Sequence, residues 1–175
     1  PARTETTPQM TTVLEKTENI IYPPGSPSSV SAIFKNMSAV VSWNIPSDDG
    51  GSEITNYEVT VLPEGEPVEV NGNTTSAQIT GLTNGRQYTF IVVAKNSAGN
   101  SDPSEISNSV VPATISTAPQ ISSVKPGEGK VTVAWIPPSD DGGSEITAYI
   151  VRAIPGDLLM KAGPFETSKE ISGLT

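Results

Sequence analysis

Carboxylates concentrated in one duplicated segment are the residues of this chain most capable of chemistry. The segment PSDDGGSEIT occurs at Pro46–Thr55 and again, 92 residues later, at Pro138–Thr147. The acids are Asp48, Asp49 and Glu53 in the first copy and Asp140, Asp141 and Glu145 in the second. Such hard oxygen ligands suit calcium, but the segment lacks the regularly spaced ligands of a calcium-binding loop. Asp-Asp-Gly-Gly is also common turn chemistry, so we favour a turn in both copies, with a calcium site as the alternative.

Chemistry that depends on cysteine or histidine is excluded, because the chain contains neither residue. Ser-His-Asp and Cys-His catalysis, thiolate zinc sites and imidazole metal sites all require at least one of them. Glycoside hydrolysis needs only an acid and a base, but these must face each other across a cleft. The acids of this chain are expected in solvated turns. The sequence therefore predicts no enzyme, no cofactor and no metal ligands within this segment.

The overall charge of the chain is acidic. Its 19 acidic and 10 basic residues give a formal net charge of −9. Nucleic-acid binding requires clustered Lys and Arg against the phosphates, and no such cluster occurs. Neither nucleic acid nor an anionic membrane surface is therefore an expected partner. No run approaches the roughly 20 apolar residues of a membrane span, which predicts no membrane insertion within this segment.

Short stretches of alternating residues, separated by turn signals, predict seven strands within residues 27–112. The expected strands cover residues 29–34, 39–45, 54–62, 67–72, 76–82, 86–96 and 104–111. Alternation with a period of two turns one face of each strand inward, and in the second strand this face holds Val41, Trp43 and Ile45. The expected structural core is Val41, Trp43, Tyr57, Val59, Ile79, Leu82, Tyr88, Phe90 and Val92, with Trp135, Tyr149 and Leu174 from the second copy.

Several motifs, in order along the chain, resemble the fibronectin type III family. They are a tryptophan on the second strand (Trp43), a Pro-rich loop after it, a tyrosine on the next strand (Tyr57), and the element GLTNGRQY at Gly81–Tyr88. The resemblance implies a seven-stranded, two-sheet antiparallel sandwich of the immunoglobulin-like type. It also implies a tyrosine corner at Leu82 and Tyr88, in which the phenol bonds to upstream backbone. The motif wording is closest to bacterial, algal or viral members.

The same pattern begins again in the second half of the chain. Residues 43–83 and 135–175 agree at 20 of 41 aligned positions, which predicts two type III domains in tandem. The expected organisation is a Thr/Pro-rich linker or docking arm at residues 1–26, a first domain at 27–112, a linker at 113–118 and a partial domain at 119–175. The arm would dock on a neighbouring subunit through Ile20–Tyr22.

The second domain is expected to be incomplete, because Thr175 corresponds to Thr83 and strands F and G would follow it. Strand F lies at the centre of one sheet, and without it the backbone groups of its neighbour are left unpaired. Two explanations are open. Either the chain continues beyond Thr175, or another subunit donates the strand.

Three smaller motifs have both a structural and a functional interpretation. Asn84-Gly85-Arg86 resembles a cell-adhesion tripeptide, but it falls where a turn needs Asn-Gly to reach positive φ, which we favour. Trp43 and Trp135 suit a sugar-stacking platform, but alternation places them in the core. Sequons at Asn36 and Asn73 are glycosylation acceptors in expected loops, relevant only in a host that glycosylates surface proteins.

The favoured function is a non-catalytic structural, spacer and protein-interaction module of a larger extracellular, cell-surface or virion protein. Its expected partners are other subunits of an assembly or neighbouring domains of the same chain. One alternative is an accessory module of a secreted polysaccharide-degrading enzyme, with carbohydrate as a partner. Another is an adhesion or ligand-binding module using loops 46–52, 63–67 and 97–103, although these lack the aromatic or Arg anchors of binding hot spots.

Overall fold

A computed structural model describes residues 20–174 as an all-β protein. Its strands are β1 (Ser28–Lys35), β2 (Ser38–Asn44), β3 (Asn56–Leu62), β4 (Val68–Asn71), β5 (Ser76–Thr80), β6 (Thr89–Asn96), β7 (Gly99–Asn100), β8 (Gln120–Gly127), β9 (Lys130–Ile136), β10 (Tyr149–Ala153), β11 (Leu158–Ala162) and β12 (Ser168–Ser172). All pairings are antiparallel, and no residue from 20 to 174 lies in a helix. The predicted all-β antiparallel sandwich is confirmed.

The part of the predicted arm that precedes Ile20, and Thr175 at the end of the predicted partial domain, lie outside the described residues. Within residues 20–174, no helix has the length and apolar character needed to cross a membrane.

Two sheets face each other in the first half of the chain, which we call the N-terminal sandwich (residues 27–112). One sheet has the order β1-β2-β5 and the other β4-β3-β6-β7. Along β3, Tyr57, Val59 and Val61 are buried while the residues between them are only partly covered, as expected for a strand with one face on a core. The inward side chains form one cluster of Ala32, Ala39, Val41, Trp43, Tyr57, Val59, Val61, Ala77, Ile79, Leu82, Tyr88, Phe90, Val92, Ala94 and Val110.

The last strand predicted for this sandwich, over residues 104–111, is wrong. The seventh strand is instead β7, which lies inside the predicted loop 97–103 and pairs with Lys95 and Asn96 of β6. The segment after β7 then runs alongside β6 and advances three residues for every two residues of β6. The two segments therefore do not form a regular ladder. Its backbone N–H donors and their carbonyl acceptors are Ser101 to Ala94, Ser104 to Val92, Ser107 to Phe90 and Val110 to Tyr88. Such extra residues opposite a strand are what distinguish a bulged segment from a regular one.

Two residues predicted to face the core are less buried than expected. Ile45 is 61% exposed, because β2 ends at Asn44 and the alternation that turns Val41 and Trp43 inward ends with it. Leu174 is only partly buried, at the edge of the second cluster and the end of the described chain.

The second half of the chain forms two smaller sheets, which we call the C-terminal sheets (residues 119–174). They have the orders β8-β9-β12 and β10-β11, and β8, β9 and β12 begin 92 residues after β1, β2 and β5. Their buried cluster consists of Val133, Trp135, Tyr149, Ala162 and Ile171.

The C-terminal sheets are open where the N-terminal sandwich is closed. Among the described residues β10 pairs with β11 alone, whereas its counterpart β3 pairs with both β4 and β6. Val124 is 56% exposed, while Ala32, at the same position of the repeat, is 6% exposed. In the N-terminal sandwich, Asn108, from the segment that follows β7, hydrogen-bonds to the backbone N–H and carbonyl of Ala32.

Candidate functional site at the acidic loops

The first acidic loop (Pro46–Ser52) is a pair of tight turns held by its own carboxylates. Oδ1 of Asp48 accepts the backbone N–H of Gly50, and Oδ1 of Asp49 accepts that of Gly51, both at 2.8 Å. Both glycines have positive φ, +72° and +79°, a region that side chains disfavour. The Asp-Asp-Gly-Gly sequence is therefore what this backbone requires.

The first acidic loop also binds the segment that enters the sandwich. The carbonyl oxygen of Gly50 accepts the N–H of Tyr22 at 2.8 Å, and that of Asp48 accepts the N–H of Gly25 at 2.9 Å. A Cβ on Gly50 would overlap the Tyr22 carbonyl, so this approach needs glycine. Asn96, at the end of β6, donates its amide N–H groups to the carbonyls of Tyr22 and Asp49, each at 2.7 Å. The loop, the entering segment and β6 are thus joined.

The second acidic loop (Pro138–Ser144) repeats this arrangement at equivalent positions. Its turn hydrogen bonds run from Gly142 to Asp140 and from Gly143 to Asp141, both at 2.8 Å. The N–H of Thr114 donates to the Gly142 carbonyl at 2.8 Å and that of Thr117 to the Asp140 carbonyl at 2.9 Å. Each donor and acceptor lies 92 residues after its counterpart, so the segment between the two halves is bound as Tyr22–Gly25 is.

A shallow cleft of about 460 Å³ lies beside the first acidic loop, with Asp48, Asp49 and Glu53 on its wall. Each aspartate already gives one carboxylate oxygen to its turn. Between residues 20 and 174, no group of three His, Cys, Asp or Glu side chains is placed to hold a metal ion. The turn interpretation accounts for both aspartates.

The aromatic residues behind these loops are in the core. The ring centroids of Trp43 and Tyr57 lie 5.2 Å apart at 57°, and those of Trp135 and Tyr149 lie 5.3 Å apart at 51°, tilted pairs of the kind that aromatic rings prefer. Trp43 is 3% and Trp135 6% exposed, so neither indole presents a face to a sugar. Burial raises the pKa of Tyr57, whose hydroxyl has no partner among the described residues.

The turn after β5 contains the Asn84-Gly85-Arg86 tripeptide. The phenol oxygen of Tyr88 accepts the N–H of Thr83 at 3.1 Å, the contact that a tyrosine corner implies. Gly85 has a φ of +81°, as the turn interpretation requires. The Arg86 guanidinium lies 5.7 Å over the Tyr88 ring and pairs with Glu64. The tripeptide therefore has a structural role in the sandwich.

The two sequons lie in exposed turns. Asn36 is in the turn between β1 and β2, where its Oδ1 accepts an N–H from the Asn84 side chain at 2.8 Å. Asn73 follows β4, and its own N–H donates to Oδ1 of Asn71 at 2.9 Å. The side-chain amide of Asn73, unlike that of Asn36, thus makes no hydrogen bond to another described residue.

Sequence reasoning missed the polar residues that join β6 to its surroundings. Asn96 is 4% exposed and reaches back 74 residues to Tyr22, a contact that no local pattern signals. The three buried serines Ser101, Ser104 and Ser107 accept N–H groups of β6 at their Oγ atoms. Their S-x-x-S-x-x-S spacing was the available signal, since it departs from the period of a strand.

The first half of the chain matches the model of one protein family. A model described as "Fibronectin type III domain" matches residues 25–110. This segment is a fibronectin type III domain. A Kelch domain-containing protein of Saccharolobus solfataricus is 36% identical to the chain over 157 residues, which cover 88% of this chain and 21% of the relative.

Other relatives come from bacteria and animals. Chitinase D of Niallia circulans is 39% identical over 89 residues, covering 51% of this chain and 16% of the chitinase. A crystal structure of the FN1–FN3 domains of chicken CNTN1 is 19% identical with a TM-score of 0.48, covering 86% of this chain and 56% of that one. The chain thus spans about a fifth or less of the Kelch and chitinase relatives.

Proposed function

We propose that this chain is a non-catalytic structural part of a larger protein, in which type III domains space and hold neighbouring domains or subunits. One observation carries the proposal. Both acidic loops, the sites with the most chemically capable side chains, bind the chain segment that leads into each half of the molecule. Their aspartates stabilise this path by fixing the turns whose carbonyls accept its N–H groups.

The tandem arrangement is part of the proposal. Its support is that β8, β9 and β12 repeat β1, β2 and β5 in position and pairing, and that the Trp–Tyr pair recurs with nearly the same geometry. We assign residues 119–175 to a second type III domain that accepts a strand equivalent to β6 beside β10. A continuation of the chain and a donated strand both satisfy this geometry.

The proposed binding partners are neighbouring domains of the same chain or other protein subunits. The net charge of −9 does not favour nucleic acid. An extracellular, cell-surface or virion location, and use of the sequons at Asn36 and Asn73, are proposed with it. The bacterial, algal or viral type suggested by the motif wording stays a prediction, since the relatives include archaeal, animal and bacterial proteins.

A second candidate is an accessory module of a polysaccharide-degrading enzyme. The observation that favours it is the 39% identity to a chitinase over 89 residues. The two candidates differ in whether this segment binds a polysaccharide. The structure favours the first, because the two tryptophans are 3% and 6% exposed and neither indole offers a stacking surface to a sugar.

Retention on insoluble polysaccharide tests the proposal. The purified chain is passed over chitin and cellulose, and both the bound fraction and released reducing sugar are measured. A structural module is expected in the flow-through, with no sugar released. Retention that is lost on adding soluble oligosaccharide would instead establish the accessory role, and released sugar would overturn the non-catalytic assignment.

A further inference from the structure

The two halves of the chain meet at a contact between backbones. Gly143, in the second acidic loop, lies against the Asn84–Gly85 turn of the N-terminal sandwich. A Cβ placed on Gly143 would lie 2.7 Å from the carbonyl carbon and 2.8 Å from the Cβ of Asn84, and closer still to the backbone nitrogen of Gly85. Real Cβ contacts do not come this close. Only glycine therefore permits this approach.

Position 51 shows what the same loop looks like without such a contact. Gly51 and Gly143 occupy equivalent positions, with φ of +79° and +83°. Among the described residues, a Cβ on Gly51 would meet only the Ile20 carbonyl at 3.7 Å and Cγ2 of Ile21 at 3.8 Å, which is ordinary contact. The loop itself therefore leaves room at this position, and the Asn84–Gly85 turn removes it at Gly143.

Both sides of the contact are held firmly. Oδ1 of Asn84 accepts the N–H of Met37 at 2.8 Å, and its Nδ2 donates to Asn36, so the turn is fixed to the β1–β2 connection. On the other side, Asp141 holds the Gly143 N–H at 2.8 Å. Neither backbone can swing aside as the end of a flexible side chain would.

The segment between the halves is fixed at both of its ends. The N–H of Gly85 donates to the Pro112 carbonyl at 2.9 Å, and Thr114 and Thr117 donate to the second acidic loop at 2.8 and 2.9 Å. Residues 112–117 therefore do not behave as a free flexible linker. Relative motion is the usual expectation for domains with a small interface, and here backbone contacts oppose it.

We propose that Gly143 and the Asn84–Gly85 turn form a docking surface between consecutive type III domains, which gives the two halves one fixed orientation. This inference rests on the proposed tandem arrangement and adds that the array is stiff. A side chain at position 143 separates the surfaces, while one at position 51 does not. The glycine at 143 is thus a specificity-determining residue of the junction.

Distance measurement between the halves tests the docking surface directly. The chain has no cysteine, so cysteines replacing the exposed residues Gln78 on β5 and Lys125 on β8 accept one spin label each. Pulsed electron–electron double resonance is expected to give one narrow distribution of the distance between the two labels in the parent protein. Gly143→Ala is expected to shift or broaden it, and Gly51→Ala to leave it unchanged. A broad parental distribution, or a Gly143→Ala distribution matching the parent, would overturn the proposal.

A second pair of variants covers the case in which Gly143→Ala disturbs its own loop. Gly85 and Gly81 have φ of +81° and +78°. A Cβ on Gly85 would lie 3.3 Å from Cα of Gly143, while one on Gly81 would meet no atom of residues 20–174 within 4 Å. Gly85→Ala is expected to change the distance distribution and Gly81→Ala to preserve it; equal effects would count against the surface. Fluorescence of Trp43 and Trp135 verifies each half's fold, and polysaccharide retention remains an independent measure of the proposed function.

Discussion

The phenol oxygen of Tyr88 accepts a hydrogen bond from the backbone N–H of Thr83 at 3.1 Å. This contact closes the turn that carries Asn84 and Gly85, and so connects the core of the N-terminal sandwich to its junction with the second half. Tyr57 offers a contrast within the same core. Its ring is fully buried, but its hydroxyl has no hydrogen-bond partner among the described residues.

The two tyrosines therefore predict opposite responses to loss of the hydroxyl. Tyr88→Phe leaves the Thr83 N–H without a partner and is expected to lower the free energy of unfolding by about 1–3 kcal/mol. Tyr57→Phe removes an unpaired polar atom and is expected to be neutral or stabilising. Urea unfolding followed by Trp43 fluorescence, in a Trp135→Phe background, measures both. Equal destabilisation by the two changes would contradict the assignment of the tyrosine corner.

The buried serines after β7 give a second prediction. Oγ of Ser104 accepts the N–H of Val92 at 3.0 Å while the Ser104 N–H donates to the Val92 carbonyl at 3.0 Å. The hydroxyl takes the place of the carbonyl that a regular strand would offer. Ser104→Ala orphans a buried N–H and is expected to cost about 1–3 kcal/mol. Ser109→Ala, at an exposed position, is the control and should change stability by less than about 0.5 kcal/mol; a similar loss from both would argue against the hydroxyl's role.

These serines also mark where sequence reasoning reached its limit. Alternation identified the inward faces of β2 and β3 because each strand has a polar face and a core face. The segment after β7 has no such faces, since its hydrogen bonds recur every third residue, and residues 104–111 were therefore mistaken for a strand. Asn96 and the contact of Gly143 with Gly85 depend on residues far apart in sequence. Local pattern carries no information about them.

A third prediction concerns pH and the turn between β11 and β12. A hydrogen bond from the Gly163 N–H, and then one from Lys169, hold the pKa of Glu166 below its ordinary value of 4.5. Because the folded pKa is the lower one, the stabilisation is fully present above about pH 4.5 and is lost as the pH falls through the folded value. Glu166→Gln is expected to flatten the pH dependence of the C-terminal sheets' urea midpoint in this acidic range. An unchanged profile would show that Glu166 does not contribute.

A fourth prediction is that the two halves unfold separately. The N-terminal sandwich has a closed core, whereas the buried cluster of the C-terminal sheets is small and open along β10. Less apolar burial means less stabilisation, so the Trp135 signal should change at a lower urea concentration than the Trp43 signal. Trp43→Phe and Trp135→Phe isolate the two reporters. Coincident transitions would mean that the junction couples both halves into one cooperative unit.

The open edge of β10 gives the last prediction. In the N-terminal sandwich β6 fills this edge of β3 from Asn56↔Lys95 to Leu62↔Thr89, with Phe90 and Val92 fully buried. A peptide of residues 84–112 added to the chain is expected to pair with β10 in the same register and to protect its amides from hydrogen exchange. A peptide with Asp at both Phe90 and Val92 is the matched control, because it keeps the backbone donors but cannot enter a core. Protection of β10 by the control peptide, or by neither peptide, would contradict the proposal that β10 accepts a β6-like strand at its edge.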